Sequence, residues 1–316
     1  MRLSLWCDRK RLLERNHVGM EEICVTIGVC ARNCANTIQE AIATIAGQGF
    51  PHSRMEVIVV DDGSTDNTLE SIYRLVLAID IRTTVFSQTW RGLGVARNVV
   101  VKNARGRYII WVDSDMRLPE DHVEKQVEFM ERNRKVGAAK ARYGLVNSKS
   151  VVATLENSRG FFLRSESSNM VGTGGSIYRV EAIRDAEGFD EQIRGAGEDI
   201  DALIRIKKKG WLLSRTEAEF YERFKESWKD LWLEYYWWGY GARYVWHKHL
   251  DGVSIVTKLP PVTFLASFVR CIVIFRSYRK LTYLLLPLQG VFKDSAWVFG
   301  FLAAGRESLT KMKVCH

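Results

Sequence analysis

Trp111-Val112-Asp113-Ser114-Asp115 closes an apolar run that begins at Tyr108. Two carboxylates one residue apart, just past a buried strand, can bind one hard divalent cation. Mg2+ and Mn2+ prefer oxygen ligands and often share them with a substrate's phosphates. Chance alone produces many Asp-x-Asp pairs. This one follows a second acidic strand end, Val57-Ile58-Val59-Val60-Asp61-Asp62-Gly63-Ser64, and the pairing of the two is harder to dismiss.

Working outward, the apolar periodicity predicts strands at 23–29, 55–60, 83–86 and 107–112, with a turn at Ala31-Arg32-Asn33. Helices are predicted at 37–46, at 66–79 with Asp66 or Thr65 as cap, and at 94–104. Strand 55–60 is fully apolar after Glu56, as a central parallel strand is. The alternation predicts an α/β fold with a mostly parallel central sheet, whose ligands bind beyond the carboxyl ends of the strands. Past Asp115 the pattern weakens. It predicts a helix at 120–133, a strand at 138–143, a glycine-rich loop Gly172-Thr173-Gly174-Gly175-Ser176 running into a short strand at 176–178, and an amphipathic helix at 198–208. The stretch 231–248 is rich in aromatics. The glycine loop is no Rossmann fingerprint, because no strand and helix bracket it in the required order.

The 316 residues carry six cysteines without zinc spacing, and Cys30 and Cys34 read as free thiols of a reducing compartment. The formal net charge is +9. From Lys258 onward there are nine basic and two acidic residues, so most of the excess belongs to a hydrophobic tail. That points to anionic lipid, and the rest of the chain has no basic stripe for nucleic acid. Residues 1–20 read as a disordered leader, without the apolar core of a signal peptide. Residues 21–257 form the expected catalytic domain and 258–316 a membrane-associated tail. The tail's hydrophobic segments, 259–275 and 281–305, are interrupted by Arg270, Pro287, Lys293 and Asp294, which suits poor spanning helices. In the first, Thr263, Ser267, Arg270 and Ser277 share a helical face, with Val262, Leu265, Val269 and Ile272 elsewhere. This predicts helices lying in the interface on the cytoplasmic face of a membrane; a basic 276–280 loop on the far side would oppose the positive-inside rule. A helical appendage on a soluble core is the alternative.

The segment Val25-Thr26-Ile27-Gly28-Val29-Cys30-Ala31-Arg32-Asn33 resembles the opening strand of the inverting family 2 glycosyltransferases. Val59-Val60-Asp61-Asp62-Gly63-Ser64-Thr65-Asp66-Asn67-Thr68 is similar to their nucleotide-binding signature. Gly92-Leu93-Gly94-Val95-Ala96-Arg97-Asn98 looks like the next family segment, Asp113-Ser114-Asp115 the metal motif, and Gly197-Glu198-Asp199-Ile200-Asp201 the acceptor-side acidic motif. The five segments fall in the family's order within residues 23–250. The resemblance implies a GT-A fold, a UDP- or GDP-linked sugar donor and Mg2+ or Mn2+. It places Ala31, Asn33, Asp61, Asp62, Arg97, Asp113 and Ser114 at the nucleotide sugar and Asp113 and Asp115 at the metal. It makes Asp199 the catalytic base, with Glu198 contacting a lipid-linked or glycan acceptor.

Each residue also has a plainer reading. Asp61-Asp62 can cap a turn, Arg97 can be a surface ion-pair partner, and Glu198-Asp199 can stabilise a helix N-terminus. Departures are visible too. Cys30 and Arg32 stand where the family often has Pro and Tyr. Glu222, in Phe220-Tyr221-Glu222-Arg223-Phe224, stands where related members carry a metal-binding His, and is the candidate third ligand or a surface residue. The run Tyr235-Tyr236-Trp237-Trp238-Gly239-Tyr240-Gly241-Ala242-Arg243 only loosely matches the Gln-x-x-Arg-Trp motif of processive synthases. Two further classes remain in view. A sugar-phosphate nucleotidyltransferase would need a glycine-rich basic loop after the first strand, where this chain has Cys30-Ala31-Arg32-Asn33. A non-catalytic membrane scaffold would have no use for clustered carboxylates.

Overall fold

The computed structural model describes residues 22–144, 148–165, 172–193, 195–249 and 256–314. The leader, Cys7 and Cys315 lie outside the described residues. The first half alternates strand and helix: β1 (Val25–Ala31), α1 (Ile38–Ala46), β2 (Met55–Asp62), α2 (Thr68–Val76), β3 (Arg82–Gln88), α3 (Leu93–Asn103) and β4 (Tyr108–Trp111). There follow β5 (Met116–Arg117), α4 (His122–Arg132), β6 (Val136–Tyr143), α5 (Val151–Ser165), β7 (Ser176–Arg179), α6 (Val180–Asp185), α7 (Glu198–Lys208) and β8 (Leu212–Glu222). Three long helices end the chain: α8 (Trp228–Lys248), α9 (Pro260–Tyr278) and α10 (Leu286–Val314).

The eight strands form one sheet in the order β3-β2-β1-β4-β7-β6-β8-β5. It is parallel from β3 to β4. Beyond β4 it is mixed, because β7 runs antiparallel to both β4 and β6. The expected parallel sheet is thus the half from β3 to β4, and the sheet as a whole is mixed.

Both faces of the parallel half are covered, which is why its strands read as apolar runs. Val57 and Val59 pack into the core beneath α1, α2 and α4, while Ile58 and Val60 pack under α3, α6 and α7. Gly28 in β1 makes room for Trp111: a Cβ there would lie 2.8 Å from the indole and 2.9 Å from Val100. Trp111 in turn meets Tyr178 and Phe189 edge-on. Glu56, the one charge in β2's buried N-terminal half, is satisfied by the Thr26 hydroxyl and the Arg105 amide, each at 2.7 Å.

The tail differs from expectation in how it packs. Helix α10 lies along α8, with Gly239 against the Trp297 carbonyl and Gly300 against the Tyr236 carbonyl. The charges that interrupt the second segment are internal partners. Lys293 reaches Glu156 at 2.7 Å, and Asp294 accepts from Thr263 at 2.6 Å and pairs with Lys258 at 3.0 Å. In α9 the small polar residues Thr263 and Ser267 turn inward with Cys271 and Ile274, while Arg270 and Ser277 are exposed. Its outer face carries exposed Val262, Phe264, Leu265, Phe268, Val269 and Ile272. Pro260–Tyr278, with mean hydropathy 1.3, is long and apolar enough to cross a membrane, which the reading of 259–275 as a poor span did not anticipate.

Candidate active site

Parallel pairing sets the strand ends side by side. Ala31 is level with Asp61, Asp61 with Ser87 and Asp62 with Gln88, and Val112 donates back to the Gly28 carbonyl. Strand β2 runs two residues further than its apolar pattern, so both carboxylates belong to the strand and are buried.

The two do different things. Both oxygens of Asp62 are engaged by the end of β3 and the loop before α3: Oδ1 accepts from Gln88 at 2.7 Å and from the Arg91 amide at 3.0 Å, and Oδ2 from the Gly92 amide at 2.9 Å. Asp61 Oδ2 receives only two long bonds, at 3.4 Å, from the Ser64 amide and the Ser87 hydroxyl. Its Oδ1 is buried without any partner. A buried acceptor left unpaired is costly, and it is a place for a ligand's N–H or O–H. Asn33, at φ 50°, is used structurally: its Oδ1 accepts from the Thr65 amide at 2.8 Å, and its own amide donates to Ser64. Ala31 is the buried end of β1. Ser114 is half-buried and hydrogen-bonds the Cys34 thiol. Cys30 and Cys34 are free, and burial pushes the Cys30 thiol up to about 12, so it stays protonated.

Arg97 is no surface residue: it is 4% exposed. Helix α3 points it between an ion pair with Glu198 and Asp113, 3.9 Å away, with the rings of Phe189 and Trp111 at 5.6 and 5.9 Å. One guanidinium therefore ties the metal motif to the acidic motif at the start of α7. Burial works against its charge, but Glu198, Asp199 and Asp113 together raise its pKa. Burial raises the Glu198 carboxyl above the usual range against the pull of Arg97, and Glu198 Oε2 is left without a hydrogen-bond partner. Asp201, the third carboxylate of this motif, turns away to Arg205, Lys248 and His249.

The glycine loop threads between the two acidic motifs. A Cβ on Gly174 would collide with Met116 and with Asp113 Oδ2. On the other side, the Thr173 amide donates to Asp199 Oδ2 at 3.2 Å. Asp113 stands 41% open at its side chain, and Asp115 25% with Lys225 Nζ 3.8 Å away. Burial, then the neighbouring Asp113, raise the Asp115 carboxyl. A cation between the two would relieve that repulsion. The short β5 pairs antiparallel with β8 and sets Glu222 opposite Met116, one residue past Asp115. Among the described residues no three His, Cys, Asp or Glu side chains converge on one metal position. Asp113 and Asp115 would offer two carboxylates, which would fit a hard divalent cation that completes its shell with phosphate and water.

Lys140 escaped the sequence reading. It is buried in β6 and donates to the Gly174 carbonyl, with the Phe220 and Tyr143 rings at 5.0 and 5.3 Å. Its one signal was a lone lysine inside Val136-Gly137-Ala138-Ala139-Lys140-Ala141.

Residues 26–186, half of the chain, match the model of the family described as glycosyl transferase family 2. The chain is a member of glycosyl transferase family 2. Residues 108–304, which include α9 and most of α10, also match the family described as glycosyl transferase family group 2. This family 2 glycosyltransferase is 29% identical over 199 residues to the hyaluronan synthase of Pasteurella multocida, covering 63% of the chain and 20% of that relative. It is 25% identical over 178 residues to a poly(ribitol-phosphate) beta-N-acetylglucosaminyltransferase of Staphylococcus aureus, covering 53% and 30%. The chain spans about a fifth of the length of the Pasteurella relatives it matches. Its fold is the expected GT-A type. It superposes on a mannosyltransferase from Pyrobaculum calidifontis, solved with GDP-Man and Mn2+, with TM-score 0.58 and 18% identity, over 99% of this chain and 87% of that one.

Proposed function

We propose that this glycosyltransferase is an inverting, divalent-metal-dependent enzyme that moves a sugar from a UDP- or GDP-linked donor to a lipid-linked or polysaccharide acceptor. The observation that carries the reading is the placement of Asp113 and Asp199 on opposite sides of the 172–175 glycine loop, with Arg97 facing both acidic motifs. By their names the relatives are a hyaluronan synthase and a poly(ribitol-phosphate) beta-N-acetylglucosaminyltransferase, and the Pyrobaculum neighbour was solved with GDP-Man and Mn2+.

The unpartnered Asp61 Oδ1 accepts a hydrogen bond from the nucleoside, while Asp62 and Asn33 serve by holding the loops around it. Asp113 and Asp115 are the protein's ligands to Mg2+ or Mn2+, which supplies Lewis-acid neutralisation of the diphosphate when bound. Arg97 holds positive charge beside Asp113 and keeps Glu198 in place. Asp199 takes the proton of the acceptor hydroxyl as that oxygen attacks the anomeric carbon. The bond to the nucleoside diphosphate breaks on the opposite face, so the anomeric centre inverts in one step. Glu222, paired with Met116 next to Asp115, stays the candidate further oxygen ligand.

The same reading puts the enzyme on the cytoplasmic face of a membrane. The support is the apolar outer face of α9 and the basic residues that flank it. Because α10 is packed along α8, the helical layer and the catalytic sheet work as a unit, and cutting at 258 would uncover α8 as well as release an anchor.

The test is a panel of UDP- and GDP-sugars, scored for hydrolysis and for protection against thermal unfolding, with and without Mn2+. One donor should act in a metal-dependent way. Equal protection by all nucleotides, with no effect of metal, would remove the proposal.

A further inference from the structure

Lys140 is the one buried lysine among the described residues. Burying an ammonium is expensive, and a methionine of similar volume would fill the space at less cost. Its place in the sheet explains what the charge is for. Register sets it opposite Ser176 of β7 and Arg215 of β8, directly under the glycine loop. The ammonium donates to the Gly174 carbonyl. A Cβ added to Gly172 would lie 3.6 Å from Lys140 Nζ and 3.7 Å from Asp199 Oδ2, so the ammonium and the carboxylate border the same small space.

The rest of the loop is tied at every point shown. The Gly175 amide donates to the Trp111 carbonyl at 2.9 Å, the Thr173 amide to Asp199, and the Ser176 hydroxyl to the Gly172 carbonyl at 3.0 Å. Glycines at 172, 174 and 175 give the segment wide backbone freedom, and that freedom must be removed before the loop can hold two carboxylates at a fixed spacing. The Gly175 carbonyl also accepts from the Ala141 amide at 3.0 Å and from Gln126 at 3.4 Å, so these ties run to neutral groups or to Asp199 itself. Lys140 supplies the one that is charged and comes from the sheet's interior.

We infer that Lys140 is a positioning residue for sugar transfer. It pins the 172–175 loop so that Gly174 passes against Asp113 and Thr173 presents its amide to Asp199, which fixes the separation of the leaving-group side from the proton acceptor. This rests on the reading of Asp199 as the base.

The experiment uses the full chain and whichever UDP- or GDP-sugar the wild type turns over fastest. Lys140→Met removes the donor at similar volume. Lys140→Gln keeps an N–H donor without the charge. Lys140→Arg keeps both. The expected result is a kcat lowered about tenfold or more in Lys140→Met, the scale on which small misplacements of reacting groups are felt. KM for the donor and Mn2+-dependent UDP or GDP affinity should stay within about twofold of wild type, and Lys140→Arg should recover most of kcat. Should Lys140→Met not fold, Lys140→Gln carries the test, with a lowered kcat and unchanged nucleotide affinity expected. Wild-type kcat in the folded variants overturns the inference. So does a parallel loss of kcat, nucleotide affinity and Tm that Arg does not restore, because that is the mark of packing alone. Asp199→Asn run alongside separates the two claims. If it stays active, the reading of the base has failed; if it is inactive while Lys140→Met matches wild type, only the role of Lys140 has.

Discussion

Asp61 and Glu198 in the candidate site, and Glu156 and Asp294 in the helical layer, are all buried carboxylates that behave differently. In the helical layer Glu156 holds Lys293 and the Tyr235 hydroxyl, and Asp294 holds Lys258 and Thr263. Every one of those contacts joins one helix to another element, and the charge is spent on architecture. In the candidate site Asp61 Oδ1, at the end of β2, and Glu198 Oε2, at the start of α7, have no partner, and among the described residues they are the buried carboxylate oxygens of which this is true. Under the proposed function, incomplete satisfaction, more than charge or burial, separates the groups expected to face a substrate from those that hold the fold. Asp62 sits beside Asp61 and belongs to the other kind, because the loop at 88–92 has claimed both of its oxygens.

The comparison breaks most sharply at Asp199. Asp199→Asn keeps the shape and the contact with Thr173 but cannot take a proton. Transfer should fall about 10²-fold or more while nucleotide affinity holds. Steady-state kinetics beside calorimetric UDP or GDP binding checks both halves, and an unimpaired variant would move the base elsewhere. In the helical layer, Asp294→Asn should leave kcat unchanged.

Arg97 should show the next largest effect, on stability as well as activity. Arg97→Met strands Glu198 as a buried unpaired charge, a change that typically costs about 3–5 kcal/mol. Denaturant unfolding should register it. Adding Glu198→Gln should return much of the stability without returning activity. A double variant no more stable than Arg97→Met would show that the pair's electrostatics are not what the helix needs.

Asp115→Ala should abolish the dependence of UDP or GDP affinity on Mn2+, leaving a weak metal-independent binding. The fold should be untouched, since among the described residues Asp115 is tied only by Lys225, 3.8 Å away, and by its carbonyl, which receives the Arg223 amide. Smallest is the effect expected on the outer face of α9. Leu265→Glu and Val269→Glu should weaken sedimentation with phosphatidylserine vesicles and leave Tm within a degree or two, because both side chains already face outward. Unchanged vesicle binding would argue that this face is covered by something other than lipid.

Much of this was legible in the sequence because parallel strands buried on two faces leave long apolar runs with abrupt ends. Asp61, Asp62, Asp113 and Asp115 mark those ends, and Glu198–Lys208 was foretold to the residue. Strand β8 was not foretold. Its Arg215, Glu217 and Glu219 break the apolar signal on a strand that is largely half-exposed. With β8 went the two-residue β5, too short for any periodicity, and so the reason Glu222 lies near the metal motif. The division of labour between Asp61 and Asp62 was invisible for another reason: it depends on a loop that returns from β3. The inward turn of Thr263 and Ser267 was hidden because a polar helical stripe reads the same whether it meets water or a glycine on the next helix. Here it meets Gly290.

Gly28 and Trp111 carry a consequence for how such a chain can change over time. The indole occupies the space that any side chain at 28 would need, so neither position can drift alone. Enlarging residue 28 demands a smaller residue at 111, and a smaller residue at 111 leaves a hole directly behind Asp113. Homologous sequences should therefore show covariation at these two sites, with Gly retained wherever the aromatic is. The pair would act as a hereditary marker of this packing scheme, readable in an alignment even where the acidic motifs have eroded.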